Sequence, residues 1–278
     1  MGPDQLLPAW KKAGWYAVLT ALSVVVLFPV YVTIVRTIST PRTYLREGLP
    51  LYPVNVQWDV WSNAFREGDL GTKLVTSAIV TVIIVLAQLG TSILAAYAFT
   101  FLRFPGRGVL FVAFMATLML PIEVTLIPNV ETMRDLGWLN SFQGLTAPFL
   151  ATAFGTFLLR QGFLGIHRDL WDASQLDGFG HVGFVRRVAI PVTRPVIGSF
   201  TVVAFLVAWN QYTWPRAVVT ESRWETIQIG LRSLSAATVD RSNIALAGAL
   251  IAAVPVLALL IFLQRQLIRG LTAGAIKG

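Results

Sequence analysis

The sequence predicts an all-α, polytopic membrane protein with six transmembrane helices. Three observations carry that prediction. Apolar residues make up 55% of the chain and charged residues only 13%, too little polar surface to cover a water-facing globule of 278 residues. Uncharged stretches recur at the length of about 20 residues that a helix needs to cross a hydrocarbon core of about 30 Å. Basic residues gather at the ends of those stretches, where cations face headgroups and water.

The first expected span covers about 14–35. Its apolar run is too long for a removable signal peptide and no small-residue cleavage site follows, so it is expected to be retained. The second covers about 74–102, bounded by Lys73 and Arg103, and the third, about 108–130, is interrupted once by Glu123. The fourth, fifth and sixth cover about 138–159, 195–215 and 243–264, giving one expected membrane domain over 1–278. Six spans put both termini on one side. By count of cations the margin is small, so the short connections decide the side. Arg103 and Arg107 flank a tight turn free of acids, and the tail with Arg265, Arg269 and Lys277 is purely basic, which places both on the cytoplasmic face.

This topology leaves 36–73 and 216–241 outside and 160–194 inside. Trp58, Trp61 and Phe65 fall at helical spacing in the first outer segment, so a short helix is expected at the interface, either as a connector or as a docking element. The formal net charge of +8 does not imply nucleic acid, because the basic residues form no stripe interleaved with aromatics. With no cysteine there is no disulfide, thiol nucleophile or cysteine metal site. His167 and His181 share one charged loop and read as solvated or packed surface residues, with no metal expected.

That loop is the most informative part of the chain. Ile166, Leu170 and Ala173 recur at helical steps, with Asp169 and Asp172 in the early turns where negative charge suits the helix dipole. Gly178 can take the positive φ that a helix terminus needs. Val182, Val185, Val188 and Ala189 mark one face of a second short helix, with Arg186 and Arg187 on another; Pro191 is expected to end it and Pro195 to open the fifth span. On shape alone this helix, glycine turn and helix is either an ordinary solvated connection or a rigid knob able to transmit the motion of a cytosolic partner.

The residues resemble the EAA loop of ABC importer permeases, which reads E-A-A, two residues, D-G, then an aromatic and I-x-L-P. Asp172, Ala173 and Ser174 stand at E-A-A, Asp177 and Gly178 at D-G, Phe184 at the aromatic, and Val188 to Pro191 at the end. The departures are Asp172 for Glu, Ser174 for Ala and Phe179 for a small residue. The resemblance implies a type I ABC importer permease fold. It also implies that Asp172, Ala173, Ser174, Asp177, Gly178, Phe184 and Pro191 serve ATPase coupling, with Asp172, Ala173, Asp177 and Gly178 docking in a cleft of the ATP-hydrolysing subunit.

Further segments, L-M-L-P-I-E-V from Leu118, L-N-S-F-Q-G-L from Leu139, T-F-L-L-R-Q-G-F from Thr156 and the end from Arg269, are similar to carbohydrate-uptake permeases of the maltose type. Within that group, L-P-I-E-V at Leu120 and W-N-Q-Y-T-W-P at Trp209 are most similar to the second permease of glycerol-3-phosphate or glycerophosphodiester importers. The implied partners are a second permease subunit, two cytosolic ATP-binding-cassette subunits, an extracytoplasmic binding protein meeting residues 221–240, and the lipid bilayer of the bacterial inner membrane. An oligosaccharide such as maltose or trehalose is the alternative cargo.

Glu123 and the group Trp209, Asn210, Gln211 and Tyr212 are the candidates for the substrate pathway. An ionisable group in an apolar span ordinarily faces protein or a watery path, and Pro121 and Pro128 nearby free carbonyls that can line one. The other reading puts Glu123 near the outer interface, in contact with water. Asn210 and Gln211 can line the path or bond to neighbouring helices, and the tryptophans can form an interfacial belt.

No G-x-x-x-x-G-K-[ST] occurs, and the four lysines, at 11, 12, 73 and 277, sit in no phosphate-cradling loop. The chain is therefore expected to bind no cofactor directly, with ATP and Mg²⁺ held by the partner subunits, and to be no enzyme by itself. G-x-S-x-G and paired intramembrane carboxylates are missing as well, which weighs against a membrane enzyme or an autonomous ion-coupled transporter or channel.

Overall fold

A computed structural model of the protein describes residues 8–235 and 239–273, apart from the side chains of 122 and 265–273. The predicted basic tail therefore lies largely outside the described residues: Lys277 entirely, Arg265 and Arg269 in their side chains. Among the described residues there is no strand. Among these residues three helices are long and apolar enough to cross a membrane, and three bent pairs bring the number up to six when each pair is taken as one span. The chain divides into two compact units, residues up to Leu70 with Leu231–Ile251 in one, Gly71–Gly230 with the residues from Ala252 onward in the other.

In the first unit, α1 (Ala9–Thr37) is exposed along most of its length and buries only Val35 and Thr37, as a span coated by lipid would. Pro29 is tolerated within it, and Thr33 Oγ1 donates to the Pro29 carbonyl at 2.7 Å. A short α2 (Pro41–Arg46) follows, then α3 (Val60–Gly68) in the segment where an interfacial helix was expected. Val60, Ala64 and Gly68 form its buried face, which leaves Trp58 and Phe65 exposed. Ser39 Oγ ties the strap together by accepting from the Val54 amide at 3.1 Å, and Asn243 Nδ2 donates to Gln57 Oε1 at 2.9 Å. Arg42 forms a two-pronged pair with Asp240, which raises the arginine's pKa through its hydrogen bond and charge; so exposed a pair contributes little to stability.

The second unit is built on α4 (Leu70–Phe101), whose 32 residues rise about 48 Å, longer than the hydrocarbon core. The third expected span is broken. It consists of α5 (Arg107–Ala116) with a tight turn Thr117–Met119, then α6 (Ile122–Asp135), at 99° to one another. Pro121 explains the break: the residue before a proline is pushed out of the helical region, and Leu120 is extended. The fourth is likewise bent, by 48°, between α7 (Phe142–Thr146) with Ala147–Phe149 and α8 (Ala153–Leu164). Side chains of α4 satisfy the carbonyls freed there: Gln88 Nε2 donates to Phe149 at 2.8 Å and Thr91 Oγ1 to Leu150 at 3.1 Å.

Next come α9 (Arg168–Leu176), α10 (His181–Phe184), a wide π-helical turn Val185–Ala189 and α11 (Ile190–Val192). The fifth span, α12 (Arg194–Trp209), starts with Pro195 in its first turn, as expected. It ends earlier than the predicted 215, because Asn210 caps its last turn through Nδ2 to the Leu206 carbonyl at 2.8 Å. Two shorter helices, α13 (Thr213–Val218) and α14 (Ile227–Ser235), precede the last span, α15 (Ser242–Ala273). Helices α4, α8 and α12 meet at Gly155, where an added Cβ would lie 2.3 Å from Phe200 and 2.5 Å from Ser92, a close approach that small residues permit.

Candidate functional site

The loop 160–194 folds as helix, glycine turn and helix. Its turn has a specific cause. At the end of α9 the Phe179 amide donates to Ser174 O at 2.9 Å and the Gly178 amide to Gln175 O at 3.0 Å, while Gly178 takes φ +75°. This is a Schellman cap, which closes the helix only with a left-handed residue at that position and so requires glycine after Asp177. Gly180 then opens the second helix, with the Phe184 amide donating to its carbonyl at 3.0 Å.

Pro191 does not end that second helix. The run continues from His181 to Val192, and the chain turns by 82° only at Thr193. A proline ring inside a helix crowds the carbonyl four residues back, and the widened π turn at Val185–Ala189 gives it room. Thr193 Oγ1 donates to the Ala189 carbonyl at 2.6 Å and fixes the corner where the loop passes into α12.

The knob is clamped to the C-terminal end of α4 by rings. Phe184, 0% exposed, packs edge-on against Trp171 at 4.6 Å and Phe101 at 5.1 Å, and Trp171 stacks on Phe101 at 5.4 Å. Each such pair contributes about 0.5–1.5 kcal/mol beyond its buried area. The Tyr97 hydroxyl and His181 Nδ1 share a hydrogen bond of 2.6 Å, with either group able to donate. His181 thus does more than a surface histidine; its partner lies a whole loop away in sequence, and only the Tyr97 and Phe101 pair one helical turn apart hinted at an aromatic seat.

The predicted coupling residues divide into two sets. Ser174 and Phe184 are buried and hold the knob together, Ser174 Oγ donating to the Trp171 carbonyl at 2.6 Å. Asp172, Ala173, Asp177, Gly178 and Pro191 are exposed. Beside them stand two exposed apolar side chains, Leu176, 90% exposed, which the sequence pattern did not single out, and Val182, 80% exposed, which the pattern had placed on the apolar face of the second helix. A concavity of about 660 Å³ opens between Val182, Gly178, Phe179 and the cations Arg186 and Arg187, with Arg187 over the Phe179 ring at 4.7 Å. Exposed apolar knobs ringed by both signs of charge are the anatomy of a protein interface.

The pathway candidates also divide. Trp209 is packed in, 3% exposed, stacked on Phe205 at 5.6 Å and donating to the Ala252 carbonyl at 3.1 Å. Asn210 and Tyr212 are exposed at the break between α12 and α13, and Gln211 Oε1 is enclosed with no hydrogen-bond partner. Gln228 Nε2 donates to the Trp209 carbonyl at 3.3 Å. Glu123 is exposed in the first turn of α6, just after the break in the third span, where a carboxylate suits the helix N-terminus. A further polar feature escaped the sequence reading: Lys73, 8% exposed, pairs with Glu225 at 3.0 Å, while Ser77 Oγ accepts from the Ile227 amide at 2.7 Å.

Long apolar helices and bent apolar pairs, with the carbonyls freed at Phe149 and Leu150 satisfied by α4, define a multi-pass membrane protein that carries a folded knob on a long connection. The chain belongs to the family of binding-protein-dependent transport system inner membrane components, whose family model matches residues 88–272. It is thus the non-catalytic permease subunit of an ABC importer in the inner membrane.

Among its relatives is the sn-glycerol-3-phosphate transport system permease protein UgpE of Rhizobium meliloti, 34% identical over 89% of this chain and 91% of the relative. The protein of the same name from Agrobacterium fabrum is 33% identical over the same shares. That of Pectobacterium atrosepticum is 32% identical over 88% of this chain and 90% of the relative. In fold, the chain matches the crystal structure of a bacterial ABC transporter involved in the import of the acidic polysaccharide alginate. The TM-score is 0.78 over 94% of this chain and 98% of that one, at 20% identity. It also matches the bacterial alginate ABC transporter in complex with alginate pentasaccharide-bound periplasmic protein, at TM-score 0.62 over 92% and 95% and 14% identity.

Proposed function

We propose that this chain pairs with a second, different permease subunit to form the translocation path for glycerol-3-phosphate or glycerophosphodiesters. The observation that supports this cargo is the likeness, over most of the chain, to permeases named for sn-glycerol-3-phosphate transport. An extracytoplasmic binding protein delivers the cargo. Two cytosolic ATP-binding-cassette subunits hold ATP and Mg²⁺ and hydrolyse the nucleotide, while this chain binds neither. The chain forms a single transmembrane domain of six spans with both termini in the cytoplasm.

In this mechanism the knob of α9 to α11 seats in the ATPase through Asp172, Ala173, Asp177, Gly178, Leu176 and Val182. Closure of the ATPases displaces the knob, and its ring contacts pass that displacement to α4, its corner at Thr193 to α12. Asn210, Gln211 and Tyr212, at the far end of α12, border the path at an irregular stretch of backbone, which a membrane tolerates where it is buried in protein or lines a watery cavity. Glu123 serves gating or helix packing, since a carboxylate repels an anionic phosphate.

The test is substrate-stimulated ATP hydrolysis by the reconstituted complex. Asp177→Lys or Gly178→Pro leaves the chain in the membrane and abolishes the stimulation; normal stimulation in both variants would sink the docking assignment. A binding screen on the associated extracytoplasmic protein with glycerol-3-phosphate, glycerophosphodiesters, maltose and trehalose tests the cargo, and a clear preference for a disaccharide would overturn it.

A further inference from the structure

A second cavity, of about 510 Å³, opens at the C-terminal end of α4 and falls in the size range of small-molecule sites. Arg103, Arg107 and Arg168 line it, and no acid does. None of the three takes part in the ion pairs found among the described residues. Arg107 is held in place by its own turn, Nη1 donating to the Leu102 carbonyl at 3.0 Å. Three guanidiniums gathered at one mouth repel each other unless an anion joins them, and their planar forks match phosphate oxygens.

The rest of the wall is mostly apolar. Half-buried Phe101, Ile166 and Trp171 contribute rings and a branched chain, and Leu164 is 52% exposed. A free phosphate would satisfy the arginines and leave this wall in water. A ligand with an anionic head and an apolar body covers both.

We propose that this cavity binds the phosphate headgroup of an anionic phospholipid from the inner leaflet, with the start of its acyl region against Leu164 and Ile166. The placement rests on the orientation given above, which puts the ends of α4 and α8 at the cytoplasmic membrane surface, where basic pockets between helices take up such headgroups. The walls are also the seat of the knob: Phe101 and Trp171 belong to the ring cluster that clamps α9. A bound lipid therefore braces the coupling loop against the membrane.

The experiment is native mass spectrometry of the intact complex taken from nanodiscs of mixed phosphatidylglycerol and phosphatidylcholine. The unaltered complex retains phosphatidylglycerol preferentially. At about fivefold per arginine, Arg103→Gln with Arg168→Gln lowers that preference roughly 25-fold, whereas the control Arg46→Gln with Arg232→Gln leaves it unchanged. Equal retention in the unaltered and cavity-substituted complexes overturns the proposal. So does complete displacement of the lipid by excess inorganic phosphate, which would make the site one for the free anion. Loss of the ATPase subunits from the substituted complex with lipid preference intact would assign the arginines to a protein partner and overturn it equally. Orientation is read separately: the chain has no cysteine, so Pro105→Cys labelled by an impermeant maleimide only after permeabilisation supports the topology, and labelling from outside contradicts that topology without touching the lipid measurement.

Discussion

The two ends of α4 are held by opposite chemistry. At its C-terminal end Tyr97 and Phe101 meet Trp171, His181 and Phe184 in a nest of rings. Near its N-terminal end Lys73 meets Glu225 at 3.0 Å and Ser77 holds the Ile227 amide. The ring nest spreads its contacts over several partners, edge-on and stacked, so no single pair holds the knob. The shielded ion pair and the amide hydrogen bond instead tie particular atoms to one another, which suits a fixed point. Gly230 sharpens that fixed point: an added Cβ there would lie 2.6 Å from Lys73 Cδ, so the lysine stem lies flat on the bare backbone.

Four single substitutions, one of them paired with a double variant, separate these two anchors, from the largest effect to the smallest. Phe184→Ala removes the centre of the ring nest and costs about 3–5 kcal/mol of local stability. Hydrogen exchange should speed through 166–193 while the amides around Lys73 stay protected. Glu225→Gln leaves Lys73 shielded and without its counter-charge, at a cost of about 3 kcal/mol. Lys73→Met combined with Glu225→Leu should restore most of that loss in thermal unfolding in detergent, a recovery a purely steric role of Glu225 would not give.

Gly178→Ala places a side chain at φ +75° and costs about 1–2 kcal/mol. Limited proteolysis should then cut the loop faster with no change at α13 or α14. Tyr97→Phe deletes the hydrogen bond to His181 but keeps every ring contact, so it should cost about 1 kcal/mol or less. A loss as large as that of Phe184→Ala would mean that the hydrogen bond, rather than the rings, holds the knob.

Local chemistry was legible in the sequence and distant pairing was not. Asp177 and Gly178 announced the turn because the αL conformation of the cap needs glycine, and the six apolar stretches announced the spans because hydropathy is a local sum. The same sum is blind to direction, so it ran the third span straight through Pro121 and the fifth past Asn210. Proline and an amide cap each act on one turn of backbone without changing the average hydropathy. Pro191 misled in the opposite sense, since the π turn before it absorbs the clash that normally stops a helix. Lys73 with Glu225, and Tyr97 with His181, join residues far apart in the chain, and no spacing rule reaches that distance. Ser174 and Phe184 matched the family pattern by position, but only their burial separates the residues that build the knob from those that face outward.

The central claim of the proposed mechanism is that the knob's exposed face seats in an ATPase subunit. The chain is free of cysteine, so Leu176→Cys and Val182→Cys can each be placed in the assembled complex against cysteines introduced around the cleft of the ATPase. The account predicts cross-links from both positions, with yields that change on adding ATP. Cross-links from Trp58→Cys, at a 72% exposed site in the segment before α3, with none from Leu176→Cys or Val182→Cys, would contradict it.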